Sequence, residues 1–326
     1  MQLKEIYQPI EKELDAVEQI LKDSLGNSEH KSILEINNYL LHAGGKRLRP
    51  ALVILCAKAS HRTFSLRHEL VNIAAAVELI HMASLVHDDV IDHSNLRHNK
   101  PTVNYRKGED VAIASGDYLY STAFELISTC NSMDVLQCIS SATKTMCEGE
   151  LLQVCERDNL DFLKERYLII VKKKTASLFA ASCQSGVMLS NRQRSIQAAL
   201  KQYGLNFGIA FQVADDCLDL ISGTKELGKQ PGADFKMGEL TLPVLNLLTQ
   251  TKDRNRVISL IKQQDSPEAF RELRQRFINS RALLKTKEDA CFYVQEAKKG
   301  LSRLKDSCFK ESLFNLADYL VNKITI

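Results

Sequence analysis

Two short acidic segments hold the residues whose types and spacing best suit chemistry. Residues 88–92 read Asp-Asp-Val-Ile-Asp, and residues 215–219 read Asp-Asp-Cys-Leu-Asp. Each segment has the form D-D-x-x-D and follows a long apolar stretch that predicts a helix. Residues four apart share a helix face, so the first and last aspartates of each motif lie side by side.

This arrangement of carboxylates is unfavourable unless a cation compensates it. Like charges four residues apart on a helix repel, and carboxylates near a helix C-terminus oppose the helix dipole. One such motif alone is typical of a solvated acidic helix end, but two copies favour a metal site. Oxygen ligands with room for water and phosphate indicate Mg²⁺. The predicted metal ligands are Asp88, Asp92, Asp215 and Asp219. The candidate catalytic residues are Asp88, Asp89, Asp92, Asp215, Asp216 and the basic residue Lys174.

Basic residues lie near both acidic motifs in the sequence. A Mg²⁺ site of this kind needs an anion, and a diphosphate suits paired metal and basic groups. Any one of these cations alone is typical of a solvated surface charge, but together they indicate diphosphate binding. The candidates are Lys46, Arg47, Arg49, Arg97, Lys174 with its neighbour Thr175, and Lys229.

Helices must position these motifs. The chain has 326 residues, of which 44% are hydrophobic and only 6 are proline. Residues 102–230 contain no proline, which favours long helices over an all-β chain. Apolar periodicity predicts helices over most of the chain, with polar loops at 94–108 and 222–239. No linker separates domains, so we expect one all-α domain over 1–326 with about ten to twelve helices.

Charge and cysteine content narrow the environment. Lys and Arg total 43 against 40 Asp and Glu, a net charge of +3 that does not favour nucleic acid. The N-terminus has no signal-like apolar run, and Glu78 and His81 interrupt the apolar stretch 74–86, so we expect no membrane span. The nine cysteines include no C-x-x-C pair, and most are typical of buried apolar residues. These features predict a cytoplasmic protein with reduced thiols.

The motifs, in their order along the chain, resemble those of the trans-polyprenyl diphosphate synthases. The matching segments are Gly-Gly-Lys-Arg-Leu-Arg-Pro at 44–50, the two aspartate motifs, Lys174-Thr175, Phe211-Gln212, and the stretch from 227 to 243 that ends in Thr-Leu-Pro. Residues 78–87 resemble most closely the large catalytic subunit, component II, of bacterial hexaprenyl or heptaprenyl diphosphate synthases.

The resemblance implies a fold, substrates and cofactors. It implies the isoprenoid synthase fold, with helices around a central cavity, and about three Mg²⁺ ions per active site. The substrates would be isopentenyl diphosphate and an allylic diphosphate such as farnesyl diphosphate. The residues expected to bind the allylic diphosphate are Arg97, Lys174, Thr175, Gln212 and Lys229. Those expected for isopentenyl diphosphate are Lys46, Arg49 and His81.

The sequence departs from the family pattern at two positions. His98 follows Arg97 where the family has a second arginine, and Glu239 stands where the family has a lysine. Both changes weaken an expected phosphate contact. They leave open a catalytic subunit that is active only with a small partner subunit, beside the homodimer that the resemblance implies. A terpene cyclase is a weaker alternative, because cyclases usually carry a different second metal motif.

The helix before the first motif bears on product length. Short-chain members of the family carry a bulky aromatic residue four or five positions before the first aspartate, whereas this chain has Ser84 and Ala83 there. Ile80 lies further down the helix and is a candidate for the eventual limit. The resemblance therefore predicts an all-trans product of about C30 to C40. Packing of a small residue between helices is the alternative explanation of Ala83.

Overall fold

Apolar residues three or four positions apart form helices along nearly the whole chain. The computed structural model describes residues 2–42, 44–60, 68–97, 100–157, 159, 163–190, 193–221 and 232–324. In this part of the chain the regular structure is helical, apart from the antiparallel pair of strands β1 (Leu96–Arg97) and β2 (Lys100–Pro101). The all-α prediction is confirmed.

The helices follow one another with short connections. The first seven are α1 (Leu3–Tyr7), α2 (Glu11–Gly26), α3 (Lys31–Leu41), α4 (Leu48–Ser60), α5 (His68–Ile91), α6 (Val103–Lys107) and α7 (Glu109–Ser128). The next five are α8 (Met133–Cys155), α9 (Lys164–Val171), α10 (Ser177–Ser190), α11 (Arg194–Ile221) and α12 (Ala233–Lys236). The last five are α13 (Leu242–Gln250), α14 (Arg254–Ile261), α15 (Pro267–Ile278), α16 (Arg281–Gly300) and α17 (Cys308–Asn322).

The helical segments are more numerous than expected because short irregular turns divide several of them. A 3-10 turn at Gln8–Ile10, with a proline at its start, separates α1 from α2. A π-helical turn at Lys172–Ala176 lies between α9 and α10. The predicted loop 94–108 holds the strand pair and α6. Thr102 caps the N-terminus of α6, because its side-chain oxygen accepts a hydrogen bond from the Tyr105 amide. Hydrophobic periodicity cannot reveal such turns, since it continues through them.

The chain divides into two compact units. The first contains Met1–Thr143, Leu178–Gly204 and Gly300–Asn315, and the second contains Lys144–Ser177, Leu205–Lys299 and Leu316–Ile326. The first aspartate motif belongs to the first unit and the second motif to the second unit. The single domain over 1–326 stays a prediction.

Helix α5 is the core helix of the first unit. It packs against α2, α4, α6 and α7, and nearly every side chain from Leu70 to Ala83 is buried. Its 18-residue apolar window is long enough to span a membrane, but 78% of that window is buried inside the protein. This burial is typical of a core helix that neighbouring helices cover. The first aspartate motif is therefore held at the end of a well-packed helix.

In the second unit, the segment that follows α12 is fixed by an ion pair. The Glu239 carboxylate accepts from Arg157 Nη2 at 3.2 Å and Nε at 3.3 Å, and from the Gln153 side chain. The Arg157 and Glu239 side chains are only 18% and 12% exposed. Glu239, the residue that departs from the family pattern, is thus neutralised by Arg157, which lies just after α8.

We expect Arg157→Ala to lower the free energy of unfolding by about 3 kcal/mol, because it leaves the Glu239 carboxylate mostly buried without its counter-charge. Urea unfolding of the purified chain measures this. The double variant Arg157→Ala/Glu239→Gln should lose less than the two single changes together. Arg166→Ala is the control, since the guanidinium that pairs with Glu156 is 55% exposed and such a pair contributes about 0–1 kcal/mol. Additive losses would refute the coupling.

Candidate active site

The first aspartate motif forms the C-terminal turn of α5. The chain leaves the helix through His93, which has a φ of +46°. The His93 amide donates to Val90 O at 3.1 Å and the Ser94 amide donates to Asp89 O at 2.9 Å. These two bonds form a Schellman motif, which satisfies carbonyls at the helix end. Asp92 is consequently the last residue before the turn and lies one turn beyond Asp88.

Inside this motif, the middle aspartate is held by the protein itself. Asp89 is 6% exposed, and Arg97 Nε on β1 donates to its Oδ1 at 2.8 Å. Burial raises the pKa of Asp89, and the Arg97 charge opposes that rise. In the structure, Arg97, which was predicted to bind the allylic diphosphate, contacts Asp89 of the first motif.

An accessible stripe runs along α5 towards the motif. His81, Ser84 and Asp88 are half-buried and recur at intervals of three or four residues, so they share one face. The Ser84 hydroxyl donates to His81 O at 2.8 Å. Ala83 and Ile80, by contrast, are fully buried. Of the three residues predicted to limit product length, only Ser84 belongs to the accessible stripe.

The segment 44–50 in the first unit, here called the basic loop although its last three residues form the first turn of α4, holds three predicted substrate-binding residues in three environments. Lys46 is exposed. Arg47 makes ion pairs with Glu18 and Glu78.

Arg49 is the buried cation of this loop. Its residue surface is 7% exposed, and its guanidinium carbon stacks 4.2 Å from the Phe179 ring centroid. Among the described residues, its Nε has no hydrogen-bond partner. Burial lowers the pKa of Arg49 to about 10, against the pull of Glu78, so the side chain is still cationic at neutral pH. A buried cation with a free donor suits an anionic ligand.

The second motif repeats the arrangement of the first, with its middle aspartate fixed by internal donors. Asp216 on α11 is 3% exposed, and it accepts from Tyr167 Oη at 2.6 Å and from Gln212 Nε2 at 2.7 Å. Thr175 Oγ1 in turn donates to Gln212 Oε1 at 2.8 Å. Burial and the charge of Asp234 raise the pKa of Asp216 well above its usual value. Three predicted site residues, Thr175, Gln212 and Asp216, are therefore joined in one network.

Lys174 lies on the π-helical turn that precedes α10. Such turns are frequent at functional sites, because they re-aim a side chain within a helix. Lys174 Nζ pairs with Glu150 Oε2 at 2.5 Å. Gly149 lets α8 approach this turn closely, since a Cβ atom there would lie 2.3 Å from the Lys174 amide nitrogen.

The outer aspartates are the candidates for metal binding. Asp88, Asp92 and Asp215 are half-buried, whereas Asp219 is 3% exposed. Within the described residues, no three His, Cys, Asp or Glu side chains gather into a ready-made metal site. Mg²⁺ usually binds one or two carboxylates and completes its shell with water and substrate phosphates. An oxygen-only donor set without a closed cage fits this mode of binding.

Two residues of the second unit were missed by the sequence analysis. Tyr167 donates to Asp216. It precedes the apolar run 168–171, and a hydroxyl group beside such a run could have indicated a buried hydrogen-bond donor. Asp234 lies close enough to Asp216 to raise its pKa, but it belongs to the short helix α12, within the stretch 222–239 that was predicted as a polar loop. Lys229 and His98 lie outside the described residues.

The chain is similar to several characterised proteins along nearly its whole length. It is 37% identical over 322 residues to a prenyl transferase of Cyanophora paradoxa, covering 98% of both chains. It is 32% identical to heptaprenyl diphosphate synthase component 2 of Bacillus subtilis, over 98% of this chain and 90% of that one.

Solved structures agree with these relatives. A polyprenyl synthase of Caulobacter crescentus, complexed with calcium and isoprenyl diphosphate, superposes with a TM-score of 0.92 at 34% identity and covers 98% of this chain and 97% of its own. Heptaprenyl diphosphate synthase of Staphylococcus aureus gives a TM-score of 0.89 at 31% identity and covers 100% of this chain and 99% of its own. These neighbours confirm the isoprenoid synthase fold.

Residues 30–276 match the family described as Polyprenyl synthetase, a range that contains both aspartate motifs and the basic loop. With relatives above 30% identity over nearly the full chain, this match shows that the protein belongs to the polyprenyl synthetase family and is a trans-prenyltransferase.

Proposed function

We propose that this protein condenses isopentenyl diphosphate with an allylic diphosphate, such as farnesyl diphosphate, to make an all-trans polyprenyl diphosphate of about C30 to C40. The allylic carbon–oxygen bond breaks, and its electron pair leaves with the diphosphate. The double bond of isopentenyl diphosphate supplies the electrons of the new carbon–carbon bond. The resulting cation then loses a proton to the released diphosphate, which forms the new double bond.

One observation supports this proposal: in both aspartate motifs the middle carboxylate is buried and held by donors from the protein itself. Asp89 is bonded to Arg97, and Asp216 is bonded to Tyr167 and Gln212. A motif that only solvated a helix end would need no such internal donors. The same design at two helix ends supports a role in binding a cation and its anionic substrate.

The chain's own residues have distinct tasks in this proposal. Lys46, Arg49 and His81 bind isopentenyl diphosphate, and the buried Arg49 provides a cation that water does not screen. Lys174 and Gln212 orient the allylic diphosphate, together with Lys229. The apolar side chains of α5 exclude water, which would quench a carbocation.

The family supports a magnesium cofactor. Asp88, Asp92, Asp215 and Asp219 would hold about three Mg²⁺ ions together with the substrate diphosphate. When bound, these ions supply positive charge that offsets the charge developing on the leaving diphosphate. A calcium ion and an isoprenyl diphosphate in the Caulobacter crescentus structure support a divalent-cation site in the family.

The assembly and location of the protein are part of the proposal. A homodimer is expected, and the component 2 name of the Bacillus subtilis relative supports a small partner subunit as the alternative. A cytoplasmic location suits this family. A terpene cyclase is the second enzymatic alternative, and the chemical nature of the product distinguishes it from a polyprenyl diphosphate synthase.

The proposal is tested by incubating the purified full-length chain with farnesyl diphosphate, labelled isopentenyl diphosphate and Mg²⁺, then sizing the products. We expect polyprenyl diphosphates of about C30 to C40 and no turnover after chelation of the metal. Asp88→Ala and Asp215→Ala should each abolish turnover while the helical circular dichroism is retained. Asp306→Ala is the control, since that side chain is 98% exposed.

Other outcomes separate the alternatives. Activity that appears only after a small partner subunit is added supports the heteromer. A hydrocarbon product supports a cyclase and contradicts the proposal. Turnover retained in Asp88→Ala or Asp215→Ala would refute the metal assignment.

We expect Ser84→Phe to shorten the product, because the ring would project from the accessible stripe of α5 about one turn, roughly 6 Å, below Asp88. Ala83→Phe should also shorten the product, and it should cost about 1–3 kcal/mol of stability because Ala83 is fully buried. Product sizing and urea unfolding measure the two effects. Ser121→Phe, at an exposed position of α7, is the control. An unchanged length in both α5 variants would refute their role.

We expect Tyr167→Phe to lower the free energy of unfolding by about 1–3 kcal/mol, because the buried Asp216 loses one donor. The variant should also need more Mg²⁺ for half-maximal activity, since Asp215 and Asp219 are then less firmly oriented. Tyr293→Phe is a matched control, whose ring packs edge-on against Phe292. An unchanged Mg²⁺ requirement would show that Tyr167 supports folding alone.

A further inference from the structure

The basic loop adopts a backbone conformation that its sequence alone does not favour. Gly44 has a φ of +79°, and Arg47 has a φ of +49°. Glycine takes this left-handed region without strain, but a side chain as large as arginine does so only when its surroundings hold it there. Some interaction of Arg47 must therefore compensate the strained backbone.

That interaction is a clamp by two glutamates. Arg47 Nε donates to Glu18 Oε1 at 2.5 Å, Nη1 donates to Glu78 Oε1 at 2.9 Å, and Nη2 lies 3.4 Å from Glu18 Oε2. The Arg47 side chain is 13% exposed, against 38% for Glu18 and 4% for Glu78. The planar guanidinium thus ties the loop to α2 on one side and to α5 on the other.

The local charge opposes a role of Arg47 in anion binding. The Arg47 guanidinium pairs with two carboxylates, one of which, Glu78, also acts on Arg49, so a diphosphate that approached Arg47 would face both carboxylates. The clamp also leaves little free space, because a Cβ atom on Gly45 would lie 3.0 Å from Arg47 Nη1. Every nitrogen of the guanidinium already faces a carboxylate oxygen.

The two cations that flank the clamp have different surroundings. Tyr7 Oη donates to Lys46 O at 2.8 Å, which fixes the peptide next to Arg47 and leaves the Lys46 side chain exposed. Arg49 is buried against Phe179, and among the described residues its Nε has no hydrogen-bond partner. The backbone at Arg47 lies between these two residues and sets the direction in which each side chain leaves the loop.

From this geometry we infer that Arg47 is a positioning residue, clamped by Glu18 and Glu78, that orients Lys46 and Arg49 towards isopentenyl diphosphate without contacting it. The inference rests on the proposed function for the identity of that substrate. It assigns a role to Glu18, which lies outside every motif that resembles the family.

Glu18→Ala distinguishes positioning from direct binding. If Arg47 bound the diphosphate, removing a competing carboxylate would leave the KM for isopentenyl diphosphate unchanged or lower it. Because Arg47 acts through the clamp, we expect this KM to rise about tenfold, with the KM for farnesyl diphosphate changed less than about twofold. Arg47→Lys should have the same effect as Glu18→Ala, since lysine keeps the charge but cannot bridge two carboxylates.

Controls separate this inference from the proposed function. Asp15→Ala removes an exposed carboxylate from the same helix and should leave both KM values unchanged. Calorimetric titration of each variant with isopentenyl diphosphate gives a Kd that does not depend on turnover. A wild-type chain without turnover, both alone and with a small partner subunit, refutes the proposed function, while the Kd of Glu18→Ala still tests the clamp. An unchanged or lower KM and Kd in Glu18→Ala, or an equal rise for both substrates, would overturn the inference.

Discussion

The repulsion among carboxylates at two helix ends is the constraint on which the rest of this structure depends. Each aspartate motif places three acids within one turn, where the helix dipole also opposes them. The protein meets this constraint by burying the middle acid of each motif and surrounding it with donors: Arg97 for Asp89, and Tyr167 with Gln212 for Asp216.

The helices and the acidic motifs could be predicted from the sequence because both depend on local spacing. Helix α5 ends at Ile91, close to the predicted start of the polar loop 94–108, and the spacing of the aspartates indicated which of them share a face. The π-helical turn at Lys172–Ala176 could not be predicted, because it changes a hydrogen-bonding register without altering the apolar pattern. The bond from Tyr167 to Asp216 spans 49 residues, and single-sequence periodicity carries no information on such contacts.

Residue type alone was also insufficient to assign roles within the basic loop. Lys46, Arg47 and Arg49 are equivalent as cations in the sequence, yet one is exposed, one is paired with two glutamates and one is buried against an aromatic ring. What separates them is the partners that distant helices bring to the loop. A motif therefore predicts which chemistry is present more reliably than it predicts which of its side chains performs that chemistry.

The same reasoning explains why a departure from the family pattern need not disrupt the fold. Glu239 reverses a charge, and a bare carboxylate at 12% exposure would be strongly destabilising. Gln153 in α8 and Arg157 just after that helix supply the donors that make this substitution tolerable. The compensation is local to the second unit, since all three residues belong to it. Glu239 replaces the lysine that the family pattern has at this position, and the proposed function assigns the diphosphate to Lys174, Lys229 and metal ions instead.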